Sequence, residues 1–149
     1  MENLESRLVM DYAAAVLADN PVAFYRFNEA SGTTLVDSAP NAGAQNGTYL
    51  GNPVFNQTGV ATSATGTSVR FDPSDGNDSA SVTGLPLAAS FTVEMWVKSA
   101  VTPWNENGWF AAARPANGFI MHPLQGGNGW NAYVVDANGG FLTLYRRCP

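Results

Sequence analysis

The chain has 149 residues, of which 13% are charged and 45% hydrophobic, with 15 Gly and 9 Pro; by size and composition it is one turn-rich folded domain, and disorder is excluded. A formal net charge of -5, with seven Lys and Arg scattered along the chain, excludes a nucleic-acid partner, because phosphate contacts need a basic face. No stretch reaches the about 20 apolar residues of a membrane-spanning helix, and Cys148 stands alone, so the fold holds by packing without an intrachain disulfide.

The first twenty residues include Glu2, Glu5 and Asp11 and lack both a basic start and an unbroken apolar run, so no signal peptide is expected. Leu4, Leu8, Tyr12 and Val16 fall at steps of four, and Ala13 to Ala15 favour a helix. The spacing predicts an amphipathic helix over residues 4 to about 18, stopped ahead of Asn20-Pro21. Residues 1–19 then form a helical arm and 20–149 a β domain. The arm's apolar stripe either caps an open end of that domain or docks onto a neighbouring subunit.

Val22 to Asn28 reads as a first strand, apolar on both faces and so internal. Turn residues then dominate as far as Phe71. Ser31-Gly32, Asn46-Gly47 and the small polar run from Thr58 to Ser68 separate short apolar pieces at Thr48 to Leu50 and Val69 to Phe71. Asp75-Gly76 turns the chain into Ser79 to Val82.

The strictest pattern lies at residues 91–99. Phe91, Val93, Met95 and Val97 share one face of a strand, and Thr92, Glu94, Trp96 and Lys98 the other. This stretch is expected to be the central strand of an antiparallel sheet. Beyond it Asn-Gly recurs at 107, 117, 128 and 138, with Trp109 to Ala113, Phe119 to His122 and Trp130 to Val135 in between and Phe141 to Tyr145 after, the spacing of short strands joined by tight turns.

Four pieces in order, Ala18 to Glu29, Asn46-Gly47-Thr48-Tyr49, Val69-Arg70-Phe71-Asp72 and Phe91 to Lys98, resemble the laminin G-like domains of the concanavalin A-like lectin and glucanase superfamily. The resemblance covers roughly residues 12 to 98 well and the remainder loosely. It implies an all-β fold, an antiparallel jelly-roll sandwich of two curved sheets, incomplete here at the C-terminus because the family's further strands have no counterpart after Tyr145. A truncated sandwich exposes an edge that invites strand addition, so a homo-oligomer is expected. Such domains are frequent in phage tail and capsid-surface proteins. With a polar composition and no export signal, the implied address is a virion surface reached by lysis, with a capsid or tail protein as partner.

Catalytic chemistry finds no support. Retaining glycanases set two carboxyl groups about 5 to 5.5 Å apart, yet Glu94 has only Thr92 and Trp96 as same-face neighbours, and Glu29 and Asp37 sit in a turn region. His122, beside Pro123, is the sole histidine, and with Cys148 at the far end no nucleophile and base are paired. No catalytic residue and no cofactor are assigned. Asp72, Asp75, Asn77 and Asp78 gather the oxygen donors that calcium prefers, without the spacing of a calcium loop; polar residues capping a hairpin give the plainer account.

The last third interleaves Trp104, Trp109, Trp130 and Tyr133 with Asn105, Asn107, Asn128 and Asn131. Rings beside amides can stack and hydrogen-bond a glycan, and the same residues suit a subunit interface or burial inside the sandwich. The expected function is a non-catalytic structural or adhesive protein of the virion surface, a capsid decoration or fibre component, with a lectin-like carbohydrate-binding domain as the alternative and a glycan hydrolase remnant third.

Overall fold

The computed structural model describes residues 12–40, 43–59, 66–72, 77–86, 88, 90–98, 111–113, 118–123, 129–136, 138 and 140–147. These residues are mostly strands in antiparallel sheets with one short helix, so the chain is all-β. It divides into two compact units, Met1–Pro86 and Leu87–Pro149.

In the first unit the helix α1 runs over Tyr12–Ala18. The earlier part of the expected helix, with Leu4 and Leu8, lies outside the described residues. The helix closes as Asp19 and Asn20 donate main-chain bonds to the carbonyls of Val16 and Leu17 at 3.2 and 3.1 Å. Asn20 takes φ 52°, the left-handed stop that asparagine tolerates, immediately before Pro21. Ala13 is the buried residue of α1, whereas Tyr12 and Leu17 are exposed.

Residues 22–28 do not form the expected internal strand. The segment is extended, makes a single bridge between Tyr25 and Asp37, and leaves Val22 54% exposed. Phe27 supplies the physical reason. Its φ of 53° is left-handed and breaks the extended run, at a cost of about 1 to 2 kcal/mol for a residue with a Cβ. The ring is held in return by edge-on contacts with Tyr49 and Phe71, at centroid distances of 6.3 and 6.0 Å, each pair contributing about 0.5 to 1.5 kcal/mol beyond area burial.

Strands β1 (Thr34–Leu35), β2 (Gly47–Leu50) and β5 (Ser79–Ser81) form a three-stranded sheet in the order β1-β2-β5. Thr34 opposes Thr48, and Thr48 opposes Ser81. Along β2 burial alternates strictly, so Gly47 and Tyr49 face inward while Thr48 and Leu50 face out. Leu35, 1% exposed, and Tyr49, 4% exposed, form the centre of this core. A hairpin of β3 (Val54–Thr58) and β4 (Thr67–Arg70) contributes Phe55, whose ring meets Tyr49 edge-on at 5.1 Å. Its register shifts between Val54 and Gln57, where Asn56 takes φ 56° and donates its side-chain amide to Ala30 O at 3.1 Å; this is the extra residue of a bulge. The β3–β4 pairing was not expected from the small polar residues that flank it.

In the second unit β6 (Ala111–Ala113), β7 (Phe119–Pro123), β8 (Gly129–Val135) and β9 (Phe141–Arg147) form a meander in chain order. All four strands expected from the Asn-Gly spacing are present. The internal positions belong to β7 and β8, with β8 paired along its whole length with β9 and over Trp130 to Val134 with β7, and not to residues 91–99. Phe91 to Lys98 joins no sheet among the described residues. Its two faces do separate as far as Trp96: Phe91, Val93 and Met95 are half-buried, Thr92, Glu94 and Trp96 exposed. Alternation decides which side chains face inward, but a ladder also needs a neighbour in register. Phe91 packs on Phe119 of β7 at a centroid distance of 5.7 Å.

Candidate functional site

In the first unit the polar groups converge on Asp37, 8% exposed. Its Oδ1 accepts the main-chain N–H groups of Phe24 and Ala39, and its Oδ2 that of Gln45, each at 2.9 Å. The N–H of Asp37 itself donates to Asn46 Oδ1 at 2.9 Å. One carboxylate thus ties three backbone stretches just beyond the end of the β1–β2 ladder. Burial alone would raise its pKa, but the three N–H donors stabilise the ionised form and the net shift is downward.

Tyr25 donates its hydroxyl to Gln45 O at 2.6 Å, and burial, with the charge of Asp37 second, pushes its pKa up to about 12. Glu29 plays a parallel part. Its Oε1 accepts from Val36 N at 2.8 Å and its Oε2 from the Tyr49 hydroxyl at 2.7 Å. Burial, then that bond and that charge, hold the Tyr49 phenol protonated well above its ordinary range.

The aspartates considered for calcium serve the same kind of purpose. Asp78 accepts from Asn52 N at 2.5 Å through Oδ1 and from Asp72 N at 3.1 Å through Oδ2. Arg70 pairs with Asp72 at 3.6 Å through a side chain 54% exposed, a contact worth at most about 1 kcal/mol in water. Asn77 is exposed at φ 65°, and Asp75 lies outside the described residues. Among the described residues no three His, Cys, Asp or Glu side chains come together as a metal group.

In the second unit the register sorts β7 and β8 into two faces. His122 opposes Asn131 and Ile120 opposes Tyr133 on one; Phe119 opposes Val134, Met121 opposes Ala132 and Pro123 opposes Trp130 on the other. Trp130 and Tyr133, three positions apart, therefore lie on opposite faces of β8 and do not line one groove. Trp104, Asn105, Asn107, Trp109 and Asn128 lie outside the described residues.

The face that carries Tyr133 is polar at its heart. The His122 ring stacks on Tyr133 with centroids 5.1 Å apart and planes 15° apart. His122 Nδ1 lies 2.6 Å from the Pro123 carbonyl, which can only accept, so Nδ1 carries a proton. Asn131, 4% exposed, donates through Nδ2 to the Tyr133 hydroxyl at 3.4 Å, and its buried Oδ1 has no partner among the described residues. Exchanging the two ends of the amide would let Tyr133 donate to Oδ1. The sequence places Asn131 beside the aromatics and, by alternation, on the face of Tyr133; only the register shows that His122 shares it.

Glu94 is exposed, next to the 65% exposed Trp96. Sequence reasoning set Asp37 and Glu29 aside as turn carboxylates, because their partners, main-chain groups up to 13 residues away and for Glu29 also the Tyr49 hydroxyl 20 residues away, leave no residue pattern. No protein-family model matches the chain, and comparisons with curated proteins and with solved structures likewise find no match.

Proposed function

We propose that the chain is a non-catalytic structural or adhesive module of a phage virion surface, a capsid decoration or fibre component, with its sheets arranged as a jelly-roll sandwich. The observation that carries the non-catalytic part is how the carboxylates are used. Glu29, Asp37, Asp78 and Asp136 each accept main-chain N–H bonds that brace loops, which suits a scaffold that presents loops and strand edges. The virion address rests on the resemblance to laminin G-like domains. Assembly as a homo-oligomer through edge strands and the N-terminal arm goes with it, as does a capsid or tail protein as partner. Antibody raised against the purified chain and applied to particles from its source tests the address: surface label supports it, and particles without label or bound protein overturn it.

A second reading is favoured by the stacked His122–Tyr133 pair beside the buried Asn131 amide. The rings of His122 and Tyr133 are half-buried, whereas the amide behind them is enclosed, so a sugar would stack on ring edges and faces, and this reading is a lectin-like domain for host-surface glycans. A glycan array separates the two. Specific binding lost in Tyr133→Ala and kept in Trp130→Ala favours a lectin using this face; silence of the wild type favours the structural reading. Turnover of a β-glucan that disappears in Glu94→Gln would overturn both.

A further inference from the structure

Asn-Gly occurs five times, at 46, 107, 117, 128 and 138, and the structure treats the asparagines of the first and the last in opposite ways. Asn46 is anchored: its Oδ1 accepts the Asp37 N–H at 2.9 Å. The residue after it, Gly47, is buried in β2 opposite Leu35. Two positions on, Tyr49 N donates to Thr33 O at 2.8 Å, so by antiparallel alternation Gly47 also occupies a hydrogen-bonded position and its N–H is committed to the ladder. The backbone there has no room to move, since even a Cβ on Gly47 would stand 2.7 Å from Ser81 O.

Asn138 sits in the turn from β8 to β9 and is exposed. Asp136 closes that turn, its Oδ1 accepting from Asn138 N at 2.8 Å and Gly140 N at 2.7 Å, while Asp136 N donates to Gly140 O at 2.9 Å. These bonds use main-chain groups. Among the described residues no hydrogen bond holds the Asn138 side-chain amide.

We propose that Asn138 is a site of spontaneous covalent modification, deamidating through a succinimide, while Asn46 in the same dipeptide is held unreactive by the fold. The Gly139 main-chain nitrogen attacks the side-chain carbonyl carbon of Asn138. A C–N bond forms, the bond to Nδ2 breaks, and the amide nitrogen leaves as ammonia with the proton from Gly139. Water then opens the five-membered ring at either carbonyl, giving aspartate or isoaspartate without any change of oxidation state. The isoaspartate product adds a backbone methylene within the turn that Asp136 closes, and either product sets a second carboxylate beside it.

The test is native protein held in mildly alkaline buffer, digested at intervals and read by peptide mass spectrometry, with a parallel sample in concentrated urea. Deamidation at Asn138 is expected to run about tenfold or more faster than at Asn46 in the native sample, because Asn46 reacts only when its segment opens. In urea the two rates should converge. Equal rates in the native protein overturn the proposal, and so does a ratio that persists in urea, since the fold would then not be its cause. Gly139→Ala should slow reaction at Asn138 and leave Asn46 unchanged; unaltered reaction at Asn138 in that variant excludes the succinimide route.

Discussion

At the scale of single residues, Asp37 is where a small change has the largest consequence. Replacing it by Ala strands three main-chain N–H donors in a half-buried loop, and the expected loss is about 2 to 4 kcal/mol, read from the denaturant midpoint of the first unit. Asp37→Asn keeps an acceptor and should lose less. The pH dependence follows from the same bonds. The folded-state pKa lies below the ordinary value, so this stabilisation is present above about pH 3.9, the unfolded value, and is lost as pH falls through the lower folded value. Asp37→Asn should flatten that acid limb. Tyr25 works in the opposite direction. Its pKa is raised to about 12 by burial and then by Asp37, so its contribution is complete below the unfolded value of about pH 10 and is lost as pH rises through the folded one. A late part of the tyrosinate absorbance should be lost in Tyr25→Phe, and that variant should reduce the alkaline loss of stability; an unaltered alkaline limb in that variant would show that the phenol does not contribute.

At the scale of elements, Gly47 shows why a turn signal misled. Asn-Gly reads as a hairpin turn, yet Gly47 opens β2, and its lack of a side chain serves a close approach: an added Cβ would meet Ser81 O at 2.7 Å and Val82 Cγ2 at 2.9 Å. Gly47→Ala should therefore cost about 1 to 3 kcal/mol by forcing the β2–β5 pair apart, whereas Gly32→Ala, with open space around it, tests only the left-handed φ of 100°. The four strands of the second unit were legible because aromatic and branched residues alternate with Asn-Gly punctuation at regular spacing. Residues 91–98 share the alternation and join no ladder among the described residues, which shows that the pattern encodes facing and not pairing. β1 and β3 escaped notice because two or five residues mixing Thr, Asn and Gln carry no period of their own. The candidate site was half legible. Tyr133 and Asn131 stand out by composition, and their spacing in the expected strand already separates both from Trp130, but that they share a face with His122 depends on the pairing of β7 with β8, which spacing does not reveal.

At the scale of the whole molecule, tryptophan marks one compact unit alone. All four tryptophans, Trp96, Trp104, Trp109 and Trp130, fall within Leu87–Pro149, whereas tyrosines fall in both units, Tyr12, Tyr25 and Tyr49 in Met1–Pro86 and Tyr133 and Tyr145 in the other. Asp37→Ala should shift the midpoint followed by amide-exchange protection of β1 and β2 more than the midpoint followed by tryptophan emission, as units with separate ladders respond separately. Coincident shifts of equal size would mean that the chain unfolds as one body. The position of β8 between two neighbours has a further bearing on how this chain can change over generations. A one-residue slip of β8 against its neighbours would invert its two faces, driving Trp130 and Ala132 to trade places with Asn131 and Tyr133, so a residue gained or lost inside the strand is not absorbed as one in a loop is. Descendants of this chain should therefore vary by exchange of side chains in β7 and β8, and accept changes of length there only in pairs that restore the count.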